Sequence, residues 1–173
     1  TGKSSLIHLL TKSSTACFSS VVIARPNEKS KRTESGATLD PRCSTSSFKT
    51  WRKAACNKCT ANVTFNFTEN EDNAVDLCVC GIGAHASYLE GSENAITAFF
   101  QLMAILDSRW QGLQMIAPHG DIYGETLGIN WADDISGKTT CSVDLMSYEN
   151  GILTCKFDVR FPVCVSGAQI REK

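Results

Sequence analysis

The stretch that most limits the fold is residues 81–106, GIGAHASYLEGSENAITAFFQLMAIL, where a run of small residues around one histidine passes into the strongest amphipathic segment of the chain. Ala95, Phe99, Leu102 and Leu106 recur at helical spacing, and Ala98 and Met103 widen the stripe. A helix capped by Ser92 is expected there, and its apolar stripe has to cover a sheet. Before the helix, Gly81, Gly83, Ala84, Ala86 and Ser87 leave the imidazole of His85 reachable from outside and let backbone or ligand come close. His85 is therefore a candidate functional group, with an inert loop histidine as the alternative.

The flanking segments supply the sheet. Thr15 to Arg25 is rich in β-branched residues and reads as a strand ending before Pro26, and 26–42 reads as a long polar loop. Ser47 can cap a helix carrying Phe48, Trp51 and Ala55 that ends near Cys59. Val63, Phe65 and Phe67 alternate, as do Val75, Leu77 and Val79 after a turn-like 69–73, which predicts a hairpin. Residues 111–138 are Gly-rich and irregular. Strands over 140–148 and 152–161 then join through Glu149-Asn150-Gly151, where Asn and Gly tolerate positive φ. The order strand, helix, hairpin, helix, hairpin implies an α+β fold of two layers, a mostly antiparallel sheet with helices on one face and the other face open.

In the last strand Leu153, Cys155, Phe157 and Val159 share one side, so Thr154, Lys156, Asp158 and Arg160 share the other. Arg160 is aimed off the core from a fixed base, which suits bidentate capture of a carboxylate. A cross-strand ion pair with Asp144 or Asp158 is the alternative.

Charge and cysteine usage narrow the function classes. The 173 residues are 42% apolar and carry 17 basic and 18 acidic side chains, a net charge of −1, so there is no electrostatic footprint for nucleic acid. The apolar run 95–106 is too short to span a bilayer and the start has no signal-peptide core, so a soluble, cytoplasmic protein without a membrane partner is expected. A start at Thr1 suggests an excised or processed piece, and Thr1-Gly2-Lys3-Ser4-Ser5 lacks the upstream glycine and strand of a phosphate-binding loop. Nine cysteines, Cys17, Cys43, Cys56, Cys59, Cys78, Cys80, Cys141, Cys155 and Cys164, are scattered and odd in number, which favours reduced and mostly buried thiols. Cys56 and Cys59 have zinc or redox spacing, but Cys78 and Cys80, on one side of a strand, make a poor second half for a zinc knuckle. Asn62-Val63-Thr64 and Asn66-Phe67-Thr68 fit the glycosylation pattern, which matters only in a secreted protein.

The segment 81–106 resembles the Gly-x-x-Ala-His-Gly/Ala-Ser-x-Pro-x-x-Gly-x-Asn-Ala run of the lid, or dimerisation, domain in dinuclear zinc exopeptidases of the peptidase V, carnosinase, aminoacylase and succinyl-diaminopimelate desuccinylase superfamily. Ala84, His85, Ala86, Ser87, Gly91, Asn94 and Ala95 match, and Leu89 stands where proline is common. Downstream, DIYGETLGINWADDISGKTTCSVDLMSYENGILTCKFDVRFPV is similar to the peptidase V lid segment through Leu127-Gly128-Ile129, the acidic pair before Ser136-Gly137, and Asp158-Val159-Arg160-Phe161-Pro162. The likeness covers about half the chain, Gly81 to Val163, and the first 70 residues match poorly.

The resemblance implies that residues 1–173 are a ferredoxin-like lid domain, as one unit or as two subdomains with 60–163 the better-matched part, whose catalytic domain lies elsewhere in the polypeptide. In the family the lid histidine stabilises the oxyanion formed when a zinc-activated water attacks the peptide carbonyl, and a strand arginine binds the substrate carboxylate. Those roles fall on His85 as catalytic residue and on Arg160 as substrate-binding residue. A lid asparagine before a Val-Pro pair would land near Thr38 if Pro41 is the equivalent proline. The family's metal ligands have no counterpart: the chain has no Glu-Glu, and its only His-x-Asp is His119-Gly120-Asp121, inside the lid-like segment. No metal ligand and no cofactor are therefore expected in this segment, which should be inactive alone, with two zinc ions in the full-length enzyme and a dipeptide as substrate. A stand-alone dimerisation or interaction module, forming a homodimer, is the reading from a different class, and a zinc protein using Cys56 and Cys59 is a third.

Overall fold

In the computed structural model, residues 9–11, 17–24, 45–69, 74–149 and 152–173 are described. Strand β4 (Ala74–Cys80) is the centre of the larger sheet because its alternate residues Val75, Leu77 and Val79 are apolar and all but fully buried. It pairs antiparallel with β3 (Thr64–Glu69), setting Phe65 opposite Val79 and Phe67 opposite Leu77, so four apolar side chains meet on one face. On its other edge β4 pairs antiparallel with β2 (Cys17–Ala24), and β2 pairs with β1 (Leu9–Thr11), giving the order β1-β2-β4-β3.

Helices cover the apolar face. α1 (Thr45–Cys56) contributes Ala55, and the guanidinium of Arg52 lies 4.9 Å from the centroid of Phe67. α2 (Ala95–Leu106) is more buried than a one-sided stripe requires. Ala95 to Phe100 and Leu102 to Ala104 are all buried, because Phe99 also meets Trp110 edge-on at 5.6 Å and the last hairpin packs beside it. Burying Phe99 and Phe100 stabilises the domain by about 1.5–3 kcal/mol each. Trp110 closes a 3-10 turn that leads into the short α3 (Gln111–Ile116).

Residues 111–138, expected to be irregular, thus contain α3 and a two-residue pairing of β5 (Ala132–Asp133) with β6 (Gly137–Lys138). β7 (Thr140–Glu149) and β8 (Ile152–Arg160) pair antiparallel as a second, two-stranded sheet, with Glu149 opposite Ile152, and the turn expected at 150–151 lies outside the described residues. A bulge at Asp144 interrupts β7, so its buried face runs Cys141, Val143, then Met146. The chain ends in α4 (Gly167–Arg171), where Ser166 and Gln169 form a capping box.

The α+β class agrees with the sequence reading, and the sheets are antiparallel. Four local expectations need correction. Asn94, not Ser92, caps α2: its Oδ1 accepts the N–H groups of Ile96 and Thr97, while the Ser92 hydroxyl donates to Leu89 O at 2.6 Å. Ser47 lies inside α1, which begins at Thr45. Leu106, expected on the core stripe, is only half-buried at the end of α2. Cys164 is exposed beyond β8, and Cys78 and Cys80 are half-buried rather than core residues. The loop expected over 26–42 lies outside the described residues. No helix among the described residues is long and apolar enough to cross a membrane.

Candidate functional site

The loop that carries His85 is fastened at its base. Ile82 and Glu93 exchange both backbone hydrogen bonds, at 3.0 and 2.9 Å, and a Cβ on Gly81 would sit 1.9 Å from Glu93 O. Within the loop the Tyr88 N–H donates to His85 O at 2.8 Å, and Leu89 is buried. His85 itself is exposed, and its Nδ1 accepts the Ser87 N–H at 3.2 Å. In the neutral ring that bond puts the hydrogen on Nε2, which becomes the donor available to a ligand.

Two contacts tie this loop to the β7–β8 hairpin. The Thr140 hydroxyl donates to the carbonyl of Ala86 at 2.5 Å. Asn94 Nδ2 donates to Ser142 Oγ at 3.3 Å and to Val143 O at 3.0 Å. Thr140 is the direct cross-strand partner of Arg160, so the two residues share one face at the open end of the hairpin. His85 and Arg160, 75 positions apart, are thus linked through Ala86 and Thr140.

Arg160 is exposed and engaged by Asp158, with Nε 2.7 Å from Oδ1 and Nη2 2.8 Å from Oδ2. The Asp158 carboxylate raises the guanidinium pKa, and Asp144 adds to it, so Arg160 is charged at any working pH. Of the two ion-pair partners anticipated from sequence, Asp158 is the one in direct contact. The pair uses Nε and one side of Nη2, which leaves the end-on edge, Nη1 with the far side of Nη2, for a second carboxylate. Thr38 lies outside the described residues.

His119 and Asp121 are spent on structure. The His119 side chain is 9% exposed, with Nε2 2.8 Å from Glu93 Oε2 and Nδ1 2.9 Å from Thr97 Oγ1. Because an ionised carboxylate only accepts, Nε2 carries the hydrogen in that contact. Asp121 accepts the N–H groups of Glu125 and Thr126, each at 2.9 Å; burial works to raise its pKa, but these bonds win and hold it below the usual carboxylate range. A cleft walled by Asn94, Thr97, His119, Asp121, Ser142 and Phe157 lies against these groups, and its walls include neither His85 nor Arg160. The cleft's titratable groups His119 and Asp121 are committed to partners within the fold.

Cys56 and Cys59, at zinc or redox spacing, are both half-buried. Burial pushes Cys59 up to about 11, with Cys56 adding to it, and burial also raises Cys56, outweighing Arg52. Protonated thiols are weak ligands. Among the described residues no group of three or more His, Cys, Asp or Glu side chains is placed to hold a metal ion, so the residues described here do not fit a two-zinc centre.

Sequence reasoning missed Thr140, Glu93 and the second role of Asn94. Thr140 could have been found by counting the hairpin register, but only with the bulge known.

No family model matches the chain. It is similar to a Beta-Ala-Xaa dipeptidase of Lactobacillus delbrueckii subsp. lactis, with 32% identity over 100 residues, 54% of this chain and 21% of that protein. The chain spans about a fifth of the length of the curated relative it matches.

Proposed function

We propose that this chain is the lid segment of a metal-dependent dipeptidase, in which it closes over the substrate, excludes water, and brings His85 and Arg160 to the dipeptide. The observation that carries this reading is the link from the His85 loop through Ala86 and Thr140 to Arg160, which sets a neutral donor and a cation on connected elements. The likeness to a dipeptidase supports the substrate class.

His85 Nε2–H donates to the carbonyl oxygen that gains negative charge as the peptide bond is attacked. A donor already held in place contributes on the order of 3 kcal/mol at such a position. Arg160 takes the terminal carboxylate on its end-on edge while Asp158 keeps the guanidinium plane fixed. The catalytic domain of the same polypeptide is the proposed partner and the source of the two zinc ligand sets, and a homodimer through the lid is compatible with this arrangement.

The test is dipeptide hydrolysis by the full-length protein. His85→Ala should lower kcat by about a hundredfold, and Arg160→Ala should raise KM for a dipeptide far more than for its C-terminal amide. Near-normal kcat/KM in both variants would overturn the assignment.

A further inference from the structure

We propose that His119 is a positioning residue for the His85 loop, which grips the Glu93 carboxylate at the base of that loop and takes up a second proton to grip it harder. The consequence for catalysis rests on the reading of His85 as the working donor, whereas the grip itself does not depend on it.

Glu93 is where the loop closes. Its backbone exchanges both hydrogen bonds with Ile82, and its Oε2 accepts the Asn62 N–H at 3.2 Å as well as His119 Nε2–H at 2.8 Å. One carboxylate thus joins the loop base, the approach to β3 and the segment after α3.

The imidazole can change charge without moving. Nε2 carries a hydrogen in either state, because the carboxylate only accepts. At Nδ1 the partner is the Thr97 hydroxyl, whose single hydrogen has two acceptors in reach, His119 Nδ1 at 2.9 Å and Asn94 O at 3.1 Å. With the hydroxyl turned to Nδ1 the ring is neutral, and Asn94 O keeps the Ala98 N–H at 3.0 Å. With the hydroxyl turned to Asn94 O, Thr97 Oγ1 accepts Nδ1–H and the ring is an imidazolium. The second proton therefore costs no hydrogen bond.

The other titratable groups walling the cleft around the ring are Asp121 and Cys141, with no lysine or arginine among the described residues there. Asp121 is held below the usual carboxylate range and burial pushes Cys141 up to about 11, so neither changes charge between about pH 5 and 8, where histidines do. Beyond them Asp144 accepts the Ser142 hydroxyl at 2.7 Å. An imidazolium at His119 is thus a lone cation facing Glu93 from that wall. Its bond to the carboxylate becomes charge-assisted, and such bonds are about twice as strong as neutral ones. The loop base is held harder on the acid side, and the extra hold is lost as pH rises.

The test is amide exchange at Ile82 and Glu93, the two N–H groups that close the loop, corrected for the intrinsic rate and followed by NMR from about pH 8 to 5. In the native chain the corrected exchange should slow by about fivefold toward acid. The step should persist in His85→Ala and shrink in Thr97→Val, which keeps the shape and removes the acceptor for Nδ1–H. It should vanish in His119→Gln, whose side-chain N–H still donates to Glu93 but takes no second proton. A flat native profile, a full step in Thr97→Val or His119→Gln, or its loss in His85→Ala would overturn the proposal. The unsubstituted chain supplies a measurement that no folding defect can mimic: the Nδ1 resonance of His119 and the exchange at Ile82 and Glu93 should share one midpoint, and separate midpoints would refute the link. If the step holds while dipeptide hydrolysis by the full-length protein is indifferent to His85→Ala, the grip of His119 stands and the dipeptidase role of His85 falls.

Discussion

The guanidinium of Arg160 lies fork to fork with the carboxylate of Asp158, two residues earlier on the same face of β8, at 2.7 and 2.8 Å. An exposed pair like this adds little to stability, because water screens it and both side chains lose freedom to form it. Its effect is on direction, since two parallel bonds fix the guanidinium plane and leave the end-on edge outward.

Asp158→Ala should therefore leave the thermal midpoint unchanged and act on substrate. In the full-length protein KM for a dipeptide should rise severalfold with kcat nearly constant, because Arg160 must then be ordered at each binding event. A fall in kcat at constant KM would assign Asp158 a different role.

Asn94 joins two parts of the site and can be tested on stability alone. Its Oδ1 caps α2 and its Nδ2 reaches Ser142 and Val143 on β7. Asn94→Ala should cost about 1 kcal/mol for the cap and about 1 kcal/mol more for the carbonyl left without its donor. Asn94→Asp keeps the cap and loses the donors, so urea midpoints should rank native, Asp, Ala. Equal loss in both variants would place the whole effect in the β7 contacts.

Asp133 sets an acid-sensitive tether. The Ser136 N–H foremost, with the Ser136 hydroxyl and the Ile135 and Cys164 N–H groups, lowers its pKa from 3.8 to about 2, against desolvation, which acts in the other direction and is second in size only to the Ser136 N–H. A depressed folded-state pKa means that the stabilisation is complete above the unfolded value and fades as pH falls through the folded one. Amide exchange at Ser136 and Cys164 should accelerate between pH 3.8 and about 2. In Asp133→Asn that step should disappear, and an unchanged acid step in the variant would move the cause elsewhere.

Much of the fold was legible because the strands β3 and β4 alternate cleanly and α2 has a periodic stripe. The candidate site was legible only in part. An unbroken ladder from Glu149 and Ile152 would set Arg160 opposite Cys141, on the wrong register to share a face with Thr140. The bulge at Asp144 moves the pairing by one, and nothing in the local sequence marks it. The cap of α2 was misplaced for a related reason. Ser92 and Asn94 are both good caps by type, and Asn94 wins because its amide also has donors to place on β7. His119 read as a possible ligand by spacing, whereas its partners Glu93 and Thr97 come from the start of α2, over 20 residues away.

Gly81 is where the His85 loop as a unit can be tested. A methyl group there would lie 1.9 Å from the Glu93 carbonyl oxygen and 3.1 Å from the Ala95 nitrogen, both backbone atoms. The carbonyl cannot swing aside freely, because it accepts the Ile82 N–H at 3.0 Å and the next turn is already capped by Asn94. Gly81→Ala should cost roughly 1–3 kcal/mol, as overpacking does when the neighbour is rigid. Gly112→Ala, in α3 with nothing within 4 Å of the added methyl, is the control and should be neutral or stabilising by up to about 1 kcal/mol. In the full-length protein the Gly81 variant should also lose kcat through the displaced imidazole, so kcat unchanged in a variant that is destabilised as expected would separate the loop from the chemistry.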